Sequence, residues 1–467
     1  MLFSSMTFLW IFLPVVVLGT ILLRKVKFQN VFLLIASLIF YAWGEPIYVI
    51  LMLFSIFINW GFGIVIDKYQ KYKKICLIVC IAINLSLLGY FKYYNFFVNS
   101  INSLLNTNIA AKQIALPIGI SFFTFQALSY VIDLYRGNCK VQKNVFDLAL
   151  YVSFFPQLIA GPIVRYKDIA EQIDERKISF EKFASGMRRF IYGLGKKVII
   201  SNCCAEIADT LYASNISEMT SGVAWIAAIL YTLQIYYDFS GYSDMAIGLG
   251  RIFGFEFLEN FNYPYVSRSI HEFWQRWHMS LGGWFKEYVY IPLGGNRKGN
   301  LRTYINLITV FFLTGMWHGA SWNFIVWGLY HGFFQIVERL GLQKVLKKHV
   351  VFSHVYCLLV AVVGWVFFRV ENMADGLNVV TRMLMPWKYN WFDIEAILPY
   401  FSSRKVIIVV LAIIGAGILQ KLGEKFQFIA KKWKFSMVES FYCAVILAYS
   451  IMLLVSGTYN PFIYFRF

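Results

Sequence analysis

Apolar residues in this chain arrive in blocks about as long as a bilayer is thick. FLWIFLPVVVLGTILL (8–23), VILMLFSIFINWGFGIVI (49–66) and ICLIVCIAINLSLLGYF (75–91) are examples. Each approaches the ~20 residues that a spanning helix needs. The whole chain is 59% hydrophobic and 15% charged, against about half and a quarter in soluble domains. The sequence therefore predicts an all-α integral membrane protein, with no sizeable soluble domain.

Candidate spans fall at 5–23, 29–43, 46–66, 75–97, 114–134, 220–248, 303–317, 321–340, 352–369, 404–420 and 438–457. The net charge of +18 does not point to nucleic acid. Its carriers sit in short gaps between apolar blocks, the pattern of loops held on the cytoplasmic side. Arg24, Lys25 and Lys27, then Lys68, Lys71, Lys73 and Lys74, then Arg136, Lys140 and Lys143 mark such loops. Anionic lipid and an anionic cytosolic donor are better partners for this charge. The N-terminal segment has no basic lead and no A-x-A-like cleavage site, and its positive charge follows the apolar run. It reads as a retained first span with the N-terminus outside.

Strict alternation then fails. VFDLALYVSFFPQLIAGPIVRY (145–166) is flanked by basic loops and interrupted by Pro156, Gly161 and Pro162. It reads as re-entrant, and such backbone is tolerated only where protein or a water-lined cavity satisfies it. The basic stretch 165–200 reads as a cytoplasmic amphipathic excursion. The aromatic, basic, glycine-punctuated stretch 267–300 reads as interfacial or re-entrant. No internal repeat is visible, so residues 1–467 are expected to form a single membrane-embedded domain.

Several chemistries lack their motifs. There is no P-loop, no closed nucleophile elbow and no H-E-x-x-H. The seven cysteines include no C-x-x-C pair, and most lie in or beside apolar segments as small hydrophobes. No metal site is expected.

The chain has six histidines. His271, His349 and His354 lie in polar or loop sequence and read as solvated. His278, in FWQRWHMSL, reads equally well as a member of an interfacial aromatic belt or as functional. His318 and His331 lie in GMWHGASWNFIVWGLYHG, apolar enough to be inside a membrane. An ionisable group there is a functional hypothesis by default, although a packing role is open to both. On one continuous helix the two would be separated by about 20 Å of rise and roughly 220° of rotation. They should not share a site unless the helix breaks between them. Gly315 and Gly319 flank His318 and permit close approach of backbone or substrate. Asp238 and Asp244, in QIYYDFSGYSDMAIGLG, are apolar-span carboxylates that either face a cavity or hold the bundle together.

Five motifs resemble the membrane-bound O-acyltransferase family: LPIGISFFTFQALSYVIDLYRG, FFPQLIAGPIVRY, QIYYDFSGYSDMAIGLGRIFGF, FWQRWHMSLGGWFKEYVYIPLGGN and GMWHGASWNFIVWGLYHG. They run through most of the chain and are most similar to the bacterial alginate O-acetyltransferase-like branch. The resemblance implies a bundle of about eleven spanning helices plus re-entrant segments around a transmembrane tunnel. It implies a multi-pass protein of the bacterial cytoplasmic membrane that moves an acetyl group from a cytosolic thioester for O-acetylation of an extracytoplasmic polysaccharide. The family's catalytic histidine maps onto His318. A second polar position, Asn in many eukaryotic relatives, maps onto His278.

A buried imidazole of near-neutral pKa can accept the acceptor hydroxyl's proton. Donors to the carbonyl oxygen are sought among His278, Asn323 and the indoles of Trp277 and Trp317, with Asp238 and Asp244 as further tunnel candidates. Arg276, Lys286, Arg297 and Lys298 are candidates for the phosphates of the donor, although a positive-inside loop explains them equally well. The donor is acetyl-CoA or an acyl-carrier-protein thioester, with no bound cofactor. The resemblance also implies an extracytoplasmic acetyltransferase- or esterase-like partner. D-alanyl transfer to teichoic acid is the rival within the class. A transporter using Asp238, Asp244 and His318 as a relay is the rival outside it; it predicts an internal repeat.

Overall fold

The computed structural model describes residues 1–391, 397–418, 437–457 and 459–463. Among them there are helices and turns but no strand. Helices stand at all eleven expected positions, although residues 419–420 of the tenth lie outside the described residues. Four are long and apolar enough to cross a membrane by length and composition: Tyr48–Lys68, Lys73–Leu105, Val350–Arg369 and Met437–Ser456. Phe8–Leu22 and Val26–Ala42 are apolar but shorter. Ile120–Arg136 has only 17 residues and is buried along most of its length. A helix that faces protein on most sides does not need a lipid-compatible surface, so composition understates it.

The chain forms two compact units. The first is Met1–Phe190 with Ser243–Glu259. Its core is aromatic: Phe8, Phe12, Phe40 and Phe155 pack with centroids 5.2–6.2 Å apart. Between the Tyr48–Lys68 and Lys73–Leu105 helices, Asn59 and Asn84 exchange reciprocal amide hydrogen bonds of 3.0 and 3.1 Å. Such pairs hold helices together where apolar burial provides little drive. The 145–166 stretch breaks as its Pro and Gly residues require. Asn144 caps Val145–Ser153 by accepting from the Phe146 N–H at 3.1 Å, and Pro156 opens the short helix Phe155–Leu158. Residues 159–164 have no helix and are buried. A β-carbon at Gly161 would lie 2.5 Å from the Gln157 α-carbon, so only glycine fits this turn.

The 165–200 stretch contributes two amphipathic helices, Tyr166–Asp174 and Phe180–Gly195. Some of the charges of this expected cytoplasmic excursion are buried or paired within the unit. Arg176 is buried and donates to Asn30 Oδ1 and to the Phe253 carbonyl. Arg189 pairs with Asp244 at 2.8 Å and with Glu259.

The second unit, Ile191–Tyr242 with Asn260–Phe467, has a core rich in tryptophan. Trp277 stacks on Phe273 with centroids 5.7 Å apart and meets Trp365 at 4.7 Å. Trp327 lies 5.7 Å from Trp365. Asn300–His318 and Trp322–Val337 form a helical hairpin whose glycines allow backbone contact. A β-carbon at Gly315 would lie 2.3 Å from the Phe324 carbonyl oxygen, and one at Gly328 would lie 2.2 Å from that of Phe311.

Candidate active site

The hairpin answers the question of the two buried histidines. Asn300–His318 ends at His318 itself; Gly319 is extended, and the next helix starts at Trp322. The helix therefore does break between His318 and His331. The two rings are nevertheless separated by Trp327, which lies edge-on to both, 5.1 Å from His318 and 5.3 Å from His331. His331 is fully buried among Trp274, Trp327 and Tyr330.

The ring that faces His318 is His278, with centroids 6.4 Å apart. Trp317 flanks both, 5.9 Å from His278 and 5.0 Å from His318. His278 owes its place to two short helices. The first, Ile270–Arg276, starts at Ser269, whose hydroxyl accepts from the Glu272 N–H at 3.0 Å. The buried Glu338 carboxylate accepts from the N–H groups of Ile270 and His271 at 2.6 and 3.1 Å. Two otherwise unsatisfied donors and the positive end of the helix thus meet a negative charge. The chain then extends through Trp277, turns left-handed at His278 (φ 45°, ψ 52°) and enters Met279–Phe285. That conformation is uncommon for a residue with a β-carbon. Asn260, fully buried, holds the ring: its Oδ1 lies 3.2 Å from His278 Nδ1.

His278 lines a cavity of about 880 Å³. Trp274, Leu281, Phe285, Val310 and Phe311 give it an apolar wall. Lys286, Arg297, Lys298 and Arg339 also line it and supply positive charge. His318 is not in the wall, but Thr314, one turn earlier on its helix, is. The lining thus sets four basic side chains beside an apolar wall.

The remaining sequence candidates disperse. Trp277 is buried in the aromatic core. Asn323 donates to the Val370 carbonyl at 2.8 Å, tying the start of its helix to the end of Val350–Arg369. Asp238 forms a buried ion pair with Lys197 at 2.7 Å and accepts from the Ile463 N–H at 2.9 Å. Asp244 belongs to the first unit, where Arg189 holds it. Of the four basic candidates, Lys286, Arg297 and Lys298 line the cavity. Arg276 instead donates to Glu272 at 3.0 Å and to the Asn262 carbonyl at 3.2 Å.

Sequence reasoning misses four residues. His271 is half-buried in the cavity wall, with its ring nitrogens 3.5 Å from Gln335 Oε1 and 3.0 Å from Gln275 Nε2, rather than solvated. Gln335 and Arg339 join the same wall from 64 and 68 residues further along the chain, and Asn260 is 18 residues from the ring it holds. Nothing in the polar sequence around His271 announces the cavity it shares with His278.

The fold is that of a multi-helix membrane protein, and its second unit holds a cavity lined by His278, whose ring lies 6.4 Å from that of His318. Residues 140–374 match the membrane-bound O-acyltransferase family. A probable alginate O-acetylase, AlgI, of Azotobacter vinelandii is 44% identical over 392 residues, covering 82% of this chain and 77% of that protein. The peptidoglycan O-acetyltransferase of Helicobacter pylori is 37% identical over 421 residues, covering 82% and 80%. The teichoic acid D-alanyltransferase of Bacillus subtilis is 31% identical over 230 residues, covering 46% and 56%. The chain belongs to the membrane-bound O-acyltransferase family and is an acyltransferase of the membrane.

Proposed function

We propose that this protein transfers an acetyl group from a cytosolic thioester, acetyl-CoA or an acyl-carrier-protein thioester, for O-acetylation of a cell-envelope polysaccharide or exopolysaccharide outside the membrane. The observation that carries the proposal is the pair His278 and His318, 6.4 Å apart, with His278 in the wall of a cavity that Lys286, Arg297 and Lys298 also line. The acetyl relatives match over 82% of the chain, the D-alanyl relative over 46%. That difference favours acetyl over D-alanyl.

In the reaction, the oxygen of an acceptor hydroxyl attacks the thioester carbonyl. A C–O bond forms, the C–S bond breaks, and the hydroxyl proton passes through an imidazole to the departing thiolate. The cavity's basic residues hold the donor's phosphate end, and its apolar wall holds the arm that carries the thioester. The protein sits in the bacterial cytoplasmic membrane with its N-terminus outside and loops 24–27, 67–74 and 136–143 inside. An extracytoplasmic acetyltransferase- or esterase-like partner completes delivery to the polymer.

The test is acyl release from labelled acetyl thioester by the purified protein in vesicles, with D-alanyl carrier thioester in parallel. Acetyl turnover that disappears in His318→Ala supports the proposal; use of the D-alanyl donor alone overturns it. Polymer acetylation by the chain with no partner added counts against the partner. Labelling of Lys71→Cys from the outer face sinks the topology.

A further inference from the structure

We propose that the helix Met373–Leu384 and the loop that follows it, through Trp391, form an interfacial anchor that lies in the headgroup region of the lipid bilayer. The argument starts from which side of the helix is polar. Gly376, Val379, Arg382 and Met383 face the protein and are buried. Ala374, Leu377, Thr381 and Leu384 succeed one another at helical spacing on the opposite side. Leu377 is 54% exposed and Leu384 55%. The Thr381 hydroxyl donates to the Leu377 carbonyl at 2.7 Å, so the polar atom of that side is turned back onto the helix. A helix that packs on a core and faces water puts its polar residues outward. This one does the reverse.

Arg382, the helix's only basic residue, is buried. Its guanidinium donates to the Ser217 carbonyl at 2.6 Å and to the Met219 carbonyl, and lies 4.3 Å from the Tyr389 ring centroid. Its Nε donates to Asn378 Oδ1 at 3.1 Å. Charge held inward with hydrocarbon outward suits a surface whose surroundings are apolar.

A helix of 12 residues rises about 18 Å against ~30 Å of hydrocarbon, so it does not cross the bilayer. It follows directly on Val350–Arg369, which is long and apolar enough to span and exposes Val351, Val355 and Leu358. Residues 370–372 join the two. The exposed apolar surface thus continues from a helix that lipid covers to the helix at its end.

The loop adds side chains that favour this depth. Trp387 is 80% exposed and Trp391 60%, with exposed Lys388 between them. The backbone beneath is fixed: the carbonyls of Asn390 and Trp391 accept from the N–H groups of Ser221 and Gly222 at 3.1 and 2.8 Å, at the start of the helix Ser221–Ile252. Indoles held out beside an ammonium match the headgroup level, where Trp is enriched and Lys reaches phosphate. The anchor bears on the site as well. Phe368, at the end of the spanning helix, packs 5.1 Å from His318, and the Val370 carbonyl holds Asn323. Fixing the depth of this helix end fixes the depth of His318.

The test is ¹⁹F NMR of the whole chain, labelled with fluorotryptophan, in phosphatidylcholine nanodiscs. The two signals are assigned by their loss in Trp387→Phe and Trp391→Phe. A nitroxide on the lipid headgroup should broaden both strongly. A nitroxide at the acyl-chain end, or a soluble gadolinium chelate, should broaden them less. Leu377→Glu and Leu384→Glu should each lower the yield of folded protein in membranes, because a carboxylate there loses water without gaining a partner.

Strongest broadening by the chelate puts the loop in water, and strongest broadening by the acyl-end nitroxide puts it in the hydrocarbon; either overturns the proposal. Protection from all three probes means that protein covers the surface, a second copy of this chain or another partner, and overturns it too. Undiminished yield of both glutamate variants does the same. If Trp391→Phe does not fold, the Trp387 signal and the glutamate variants still decide.

Discussion

Gly364 leaves room for His331: a β-carbon at position 364 would lie 2.6 Å from the imidazole Nε2. Neither ring nitrogen of His331 has a hydrogen-bond partner among the described residues, so the ring is held by shape. Gly364→Ala should displace it and destabilise the protein by about 1–3 kcal/mol, as overpacking of a tight core does. Adding His331→Ala should then cost less than the sum of the single changes. Thermal unfolding in detergent checks this, and strict additivity would show that the two do not compete for space.

The same geometry motivates a functional test of the three buried histidines. His318→Ala should leave a folded, membrane-inserted protein that has lost about 10²–10⁴-fold in acyl transfer, and His278→Ala should be severely impaired. His331→Ala should retain activity per folded molecule, with any loss following protein level. A dead His331→Ala beside a near-wild-type His318→Ala, at equal expression, would reassign the chemistry.

The hairpin that carries His318 closes on backbone. At Gly328 a β-carbon meets the Phe311 carbonyl oxygen at 2.2 Å, which no side-chain rotation relieves, whereas at Gly61 nothing lies within 4 Å. Gly328→Ala should cost about 1–3 kcal/mol or more and move the His318 end of the hairpin. Gly61→Ala, in an open helical site, should be neutral or slightly stabilising. Equal melting temperatures for the two variants would refute the contact.

Among the basic candidates, position in the wall predicts effect. Lys286→Ala and Lys298→Ala should raise the donor KM, more at low salt than at high, with kcat little altered. Arg276→Ala, which breaks contacts to Glu272 and the Asn262 carbonyl, should act on stability and leave the salt dependence of donor KM unchanged. Steady-state kinetics across ionic strength distinguish them.

Asp238 and Lys197 are each almost fully buried. Removing one partner leaves the other charged in a dry site, at a cost of about 3–5 kcal/mol. Asp238→Leu and Lys197→Met should therefore each lower the yield of folded protein, and the double change should be milder than either alone. Chromatography of detergent extracts reads this directly.

The helices were legible because a bilayer imposes one length and one composition on whatever crosses it. The break at Pro156 and Gly161 was legible for a similar reason, since both residues act locally. His318 and His331 both stood out because a titratable ring in apolar sequence is costly, and the flanking glycines and the family resemblance favoured His318. The rest depended on distant parts of the chain. Asp238 was left open between facing a cavity and holding the bundle together because Lys197, its partner, lies in a stretch that reads as a cytoplasmic amphipathic excursion. His271 looked solvated because Gln335 and Arg339, which share its cavity wall, arrive from another helix. Asn323 looked like an oxyanion donor because nothing nearby in sequence announces the Val370 carbonyl.

The left-handed backbone at position 278 restricts the alphabet available there. Branched and bulky residues are at a disadvantage in that conformation, glycine is at ease, and Asn, Asp and His are the side chains most often found in it. Only histidine among these both accepts and releases a proton near neutral pH. The local path of the chain thus screens candidates before reactivity does. A search for altered chemistry at this position has a short list to try, unless the turn itself is rebuilt.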